Sequence, residues 1–192
     1  DSVDIAQPRR HPSCLRGPYA QPLIYPSPTQ RNMKGIRGVL AQRNLREVQG
    51  IVEKALIEYV DERSEDPAMK YAKDILLAGG KRFRPVLGCL AYEAAGATLD
   101  DKMLRTALSA EIIHTATLVH DDIYDQAKLR RGRPTLHSQH GIAHGIISGD
   151  YLFTLGYWLG AEQGPEVIKV LAETCIGLAN GELLQFDHIG DL

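Results

Sequence analysis

From Val48 onward the apolar residues recur every three or four positions, the period of a helix and not of a strand. Val48, Ile51, Val52, Ala55, Tyr59 and Val60 make one stripe, with Glu47, Glu53, Lys54 and Glu58 between them, so an amphipathic helix opens the patterned region. Ser64–Pro67 breaks it. A second helix runs from about Ala68 to Leu77 and stops at Gly79-Gly80. Pro85 falls in the first turn of a third, where its missing N–H is no loss, and that helix covers Val86 to Ala95. Asp100 or Asp101 caps a long fourth helix, Lys102 to about Tyr124. Two more helical stretches lie near 138–161 and 166–188. No run alternates as a strand does, no GxGxxG or GxxxxGK[ST] loop occurs, and no repeat is present. The class is all-α.

Residues 1–46 read differently. Between Ile5 and Arg46 there is no acidic residue, and Arg9, Arg10, Arg16, Arg31, Lys34, Arg37, Arg43 and Arg46 are all cationic. Prolines 8, 12, 18, 22, 26 and 28 forbid a continuous helix. We read a disordered or loosely attached basic arm on a helical domain spanning 47–192. An organellar transit segment is the rival, disfavoured because the prolines spoil the amphipathic helix of such signals. A net charge of −2 argues against a dedicated nucleic-acid binder. No run approaches the ~18 apolar residues of a membrane span, so membrane contact is at most peripheral. The expected location is the cytoplasm, with organellar import the alternative the arm raises. Cys14, Cys89 and Cys175 are widely spaced and read as reduced thiols.

The chemistry concentrates in His114-Thr-Ala-Thr-Leu-Val-His-Asp-Asp-Ile-Tyr-Asp125. Asp121 and Asp125 are one turn apart and share a helix face, with Asp122 about 100° round. Two such charges ~6 Å apart repel by about 3 kcal/mol at an effective dielectric near 20, so the cluster needs a counter-charge. Carboxylates without cysteine suit Mg²⁺. A solvated acidic helix end is the plain alternative. Against it, Leu118, Val119 and Ile123 place this face beside a core, and Lys128-Leu-Arg-Arg-Gly-Arg133 follows at once. Acids for Mg²⁺ beside arginines for phosphate describe a phosphate-ester site. A second cationic cluster, Gly79-Gly-Lys-Arg-Phe-Arg84-Pro85, sits at a helix entry. Two cradles and one metal platform suggest an enzyme holding two phosphorylated substrates.

These residues resemble the trans-isoprenyl diphosphate synthases, the head-to-tail polyprenyl synthase family. Gly79–Pro85 resembles its GGKRxRP motif and Asp121–Gly132 its first aspartate-rich motif with the trailing RRG. Gly149-Asp150-Tyr151 resembles its GDY segment, and Gly181-Glu182-Leu-Leu-Gln185 its GExxQ helix. The resemblance covers roughly residues 45–190. It implies the N-terminal portion of an isoprenoid-synthase helical bundle and a prenyltransferase that condenses isopentenyl diphosphate with an allylic diphosphate. Ionisation, condensation and elimination are the implied steps. Lys81, Arg84, His114 and Arg131 match groups that bind the isopentenyl diphosphate, and Arg130 the group that contacts the allylic diphosphate. Asp121 and Asp125 match the principal Mg²⁺ ligands, with Asp122 in support, and Gln185 a polar cavity residue. Short-chain members carry aromatic rings four or five residues before the first aspartate. Thr117 and Ala116 stand there, which implies a medium- or long-chain product.

The family's second aspartate-rich motif and its KT pair have no counterpart before Leu192. The expectation is an incomplete helical domain with apolar stripes left exposed. A fragment of an active-type synthase is the favoured reading, and turnover by this chain alone is doubtful. The rival is a non-catalytic subunit partnering a complete synthase; a homodimer or a dimer with a related subunit is expected. A lower alternative is an HD-type metal phosphohydrolase using His114 and His120-Asp121, which leaves Lys81, Arg84 and the RRG run unexplained. His120 reads as a packed histidine, and His137, His140 and His144 as a polar helix face without a completing ligand. Tyr151, Tyr157 and Trp158 read as core aromatics.

Overall fold

The computed structural model describes residues 45–188. Cys14 and the basic arm lie outside the described residues, except that Leu45 and Arg46 begin the first helix. Four helices come first: α1 (Leu45–Asp61), α2 (Met69–Leu76), α3 (Phe83–Ala94) and α4 (Asp101–Tyr124). A two-residue antiparallel ladder follows, β1 (Leu129–Arg130) with β2 (Arg133–Pro134). Then come α5 (Leu136–His140), α6 (Ile142–Ala161) and α7 (Pro165–Asp187). The ladder departs from the strand-free expectation. It is too short to show alternation and is set by its turn, where Arg131 and Gly132 take φ of 52° and 76°. The stretch expected near 138–161 is two helices, because Gly141 at φ 91° interrupts it. No described helix is long and apolar enough to cross a membrane.

The long helix α4 organises the rest. Asp100 is its cap, accepting from the Met103 N–H at 2.8 Å. Ile112 and Ala116 of α4 are fully buried with Val48, Val52 and Leu56 of α1, Met69 and Leu76 of α2, Cys89 of α3, and Leu152 and Leu159 of α6. Against α4 runs α6, antiparallel and close. The closeness is written in glycines: a Cβ at Gly149 would lie 2.2 Å from His120 Nε2, and one at Gly156 would lie 2.6 Å from Ile113 Cγ1 and 3.0 Å from the Ser109 carbonyl. Gly156→Ala is therefore expected to cost about 1–3 kcal/mol, since backbone cannot step aside. Gly177 on α7 has nothing within 4 Å of its would-be Cβ, so Gly177→Ala should stabilise by up to about 1 kcal/mol. Thermal melts of the two variants check both signs.

Trp158 corrects one expectation. It is 62% exposed, its indole N–H donating to Glu162 at 3.1 Å. Two residues past Gly156, it points about 200° away from the α4 contact. Helix α7 buries no residue, and Val170, Ile176, Leu183, Leu184 and Phe186 are exposed on it. Apolar stripes thus stand open, as expected.

Candidate functional site

The last turns of α4 separate two cavities. The larger, about 500 Å³, lies between α4, α6 and α7. Asp121, Thr117, Ile113 and Ala110 line it from successive turns of α4, and Glu182, Leu178, Cys175 and Leu171 line it from α7. From Asp121 to Ala110 the wall is about 16 Å deep at 1.5 Å per residue. Asp121, Glu182, Arg84, His114 and His120 make the polar part; the remainder is mainly apolar. The smaller cavity, about 320 Å³, takes Asp122, Arg130, Arg131, Arg82 and Glu111. His114 lines both.

Asp122 opens on the smaller cavity and Asp121 on the larger. Asp122 is 4% exposed and accepts from Arg130 Nε at 2.8 Å, on the other side of α4 from Asp121. One residue along a helix is a 100° rotation, and the β1–β2 turn folds Arg130 back to meet it. Its carboxylate is engaged by a cation of the protein itself. Asp125, the C-terminal cap of α4, is exposed one turn beyond Asp121. Asp121 is half-buried, and burial pushes its carboxyl above the usual range; the Tyr124 hydroxyl opposes this, and Glu182 and Asp125 add to it. Tyr124 donates to Glu182 at 2.7 Å, bringing α7 to the mouth. The sequence reading placed Glu182 in the GExxQ motif without giving it a role; the structure puts it at this mouth.

Among the described residues no three His, Cys, Asp or Glu side chains gather as a metal cage. Asp121 and Asp125 nonetheless fit Mg²⁺ by donor chemistry. That ion is held by one or two carboxylates and completes its shell with water and substrate phosphates. The raised carboxyl of Asp121, among acidic neighbours, is a group that a cation relieves.

The basic groups are brought together in part. Arg84 and His114 share the larger cavity with Asp121. Arg131 donates to the Gly79 carbonyl, and a Cβ at Gly80 would lie 2.8 Å from its guanidinium, so the downstream cluster reaches the upstream loop. Lys81 is exposed in that loop. Arg130 and Arg131 open on the smaller cavity. Gln185 is exposed and lines neither cavity. Thr117 lines the larger cavity, whereas Ala116 is fully buried in the core. Only one of the two expected length positions therefore faces the cavity.

The GDY segment also finds its place. Gly149 leaves room for His120, whose Nε2 is 3.2 Å from the Ile146 carbonyl and 3.6 Å from Asp150 Oδ1. Tyr151 donates to Asp66 at 2.8 Å, tying α6 to the turn before α2. His120 is thus docked on α6, which docks the turn that carries Asp121. The rings of His140 and His144 pack on Tyr71 at 5.2 and 5.0 Å.

Burial, and then the Arg84 guanidinium, hold His114 below the ordinary histidine range, with Arg131 and Arg130 adding and Glu111 opposing. Above about pH 6.5 both folded and unfolded chains are neutral here. As pH falls from there the unfolded chain takes the proton first, so stability drops until the folded pKa is passed. His114→Gln should flatten this slope, as read from denaturant midpoints on either side of about pH 6.5.

The profile of the polyprenyl synthetase family matches residues 66–191. The heptaprenyl diphosphate synthase component 2 of Geobacillus stearothermophilus is 42% identical over 120 residues, 62% of this chain and 37% of its own. The octaprenyl diphosphate synthase of Escherichia coli is 36% identical over 118 residues, 61% of this chain and 36% of its own. Among solved structures, a geranylgeranyl pyrophosphate synthetase from Geoglobus acetivorans superposes with a TM-score of 0.68 at 30% identity, covering 74% of this chain and 48% of that one. A decaprenyl diphosphate synthase from Rhodobacter capsulatus gives 0.67 at 32% identity, covering 74% and 45%. The chain thus spans less than half the length of these relatives.

Proposed function

The chain belongs to the polyprenyl synthetase family, and on that premise we propose that it carries the diphosphate-binding half of a prenyltransferase. The reaction is condensation of isopentenyl diphosphate with an allylic diphosphate to a medium- or long-chain trans-polyprenyl diphosphate. The observation that supports it is the larger cavity: one face of α4 carries an acid at the mouth and small or apolar side chains below. A charged headgroup with a long hydrocarbon tail is the ligand such a wall suits.

In this reading Asp121 and Asp125 hold Mg²⁺, with Glu182 beside them. Bound there, Mg²⁺ supplies Lewis-acid stabilisation of the departing diphosphate. Arg84 and His114 line the same cavity and serve the isopentenyl diphosphate, Arg84 by its charge and His114 as an uncharged hydrogen-bond partner. Lys81 and Arg131, flanking the Gly79–Gly80 loop, complete that isopentenyl diphosphate cradle, and Arg130 contacts the allylic diphosphate. The allylic C–O bond breaks with its electron pair leaving on the diphosphate. The isopentenyl double bond attacks the allylic carbon, and the resulting cation loses a proton to the released diphosphate. Ile113 and Leu171 give the allylic cation an apolar wall. Thr117, small and one turn below Asp121, lets the tail descend, which favours the longer products. The outer stripe of α7 supports docking of a second copy or a related subunit.

Incubation with Mg²⁺, labelled isopentenyl diphosphate and an allylic primer tests this. With the C-terminal half of a family synthase supplied in trans, label passing into organic-soluble product, and none under chelation, is the expected result; no label in either condition contradicts it. The subunit reading is favoured by the name "component 2" of one relative. Under it, label appears only when a complete synthase is added and the product length shifts.

A further inference from the structure

The Gly79–Arg82 loop carries a conformation that its composition does not explain. Gly79 and Gly80 have φ of 79° and 154°. Arg82 then sits at φ 47°, ψ 37°, a left-handed geometry that glycine or asparagine adopts with less strain. What arginine adds is the far end of its side chain, 2% exposed. Its Nε and Nη2 grip both oxygens of Glu53 on α1, at 2.7 and 3.1 Å. Its Nη1 reaches Glu111 on α4 at 2.9 Å, and Nη2 also reaches the Leu76 carbonyl ending α2 at 2.6 Å. Four of the five N–H donors of the fork are used, and the charge is spent inside the protein. On either side, Lys81 and Arg84 are exposed and, among the described residues, hold no carboxylate at ion-pair distance. Gln49 donates to the Gly80 carbonyl at 3.1 Å, and Arg131 to that of Gly79, so the loop is pinned from both flanks.

We propose that Arg82 is a positioning residue: its buried guanidinium, clamped by Glu53, Glu111 and the Leu76 carbonyl, locks the left-handed turn that presents Lys81 and Arg84 to a diphosphate. The inference rests on reading Lys81 and Arg84 as diphosphate-binding groups. A glycine-rich loop left free would have to be ordered by each ligand it met. Arg82 orders it beforehand, against three helices, and touches no ligand itself.

The test is equilibrium dialysis of the full chain with inorganic diphosphate, first without and then with Mg²⁺, on wild type, Arg82→Lys, Glu53→Gln and Lys81→Ala. Lysine keeps the charge and loses the fork, and Glu53→Gln weakens the clamp from α1 without altering the loop. The expected result is metal-free binding weakened about tenfold or more in all three variants. Their helical circular dichroism and the additional Mg²⁺-dependent binding should persist, a split that general loosening of the fold would not produce. Metal-free binding by Arg82→Lys and Glu53→Gln equal to wild type overturns the proposal, with Lys81→Ala showing whether the cradle itself stands. Loss of helix in both overturns it too, assigning Arg82 to the fold alone. Absence of binding by wild type removes the cradle reading and this proposal with it.

Discussion

Asp121→Asn is expected to abolish the Mg²⁺-dependent share of diphosphate binding, a loss on the order of a hundredfold, while leaving the metal-free protein as stable as before or slightly more so. Two observations require this pairing. Asp121 lies at the mouth of the larger cavity and outside the core, so an isosteric amide leaves the packing intact. Burial, Glu182 and Asp125 raise its carboxyl, so at neutral pH the ionised form is held at a cost. A folded pKa above the unfolded one means that stability is lost as pH rises through the carboxylate range, and asparagine removes that loss. In wild type the cation provides the relief instead. Melting with and without Mg²⁺ and diphosphate therefore separates the two. Wild type gains more from diphosphate with Mg²⁺ than without it; the variant starts level or higher and gains nothing further from Mg²⁺. A variant that still gains as much as wild type would show that the metal is held elsewhere.

Thr117→Phe should close the larger cavity to long tails. Thr117 faces it one turn below Asp121, its hydroxyl donating back to the His114 carbonyl at 2.7 Å. A ring at this position projects from α4 into the cavity that Leu178 lines from α7. Binding of a long-tailed allylic diphosphate is expected to fall by about a hundredfold, and that of a short-tailed one by little, because only the tail meets the ring. Competition between the two ligands measures the ratio directly. Ala116→Phe is the contrast. That site is fully buried, and an added ring there should cost stability outright, with no selectivity by tail length. Equal loss for both tails in Thr117→Phe would place the tail somewhere other than this cavity.

The two neighbouring residues show what a linear sequence conveys and what it withholds. Spacing fixed the period of α4 and paired Asp121 with Asp125, because a one-turn relation needs only the helix. It could not say which of Ala116 and Thr117 faces the cavity, since each is 100° from the other and α4 is packed on several sides. Which cavity Asp122 opens on was hidden for the same reason. Its partner Arg130 arrives only through the Arg131–Gly132 turn, a two-residue ladder with no period to read. On α7 the motif was legible but not its orientation: Glu182 reaches Tyr124, and Gln185 is exposed. Gly149 could be noticed in the sequence, yet its reason is the His120 ring lying against it, a contact between helices. Likewise the GGKRxRP run announced cations without distinguishing Arg82, turned inward, from Lys81 and Arg84, turned out.

Calorimetric titration of the folded chain with an unreactive allylic thiodiphosphate is the most direct check on the central claim. Saturable heat in the presence of Mg²⁺, lost on chelation and absent from Asp121→Asn, is the result we predict. A sample with full helical circular dichroism that gives no heat, or that binds equally well under chelation and in the variant, would contradict it.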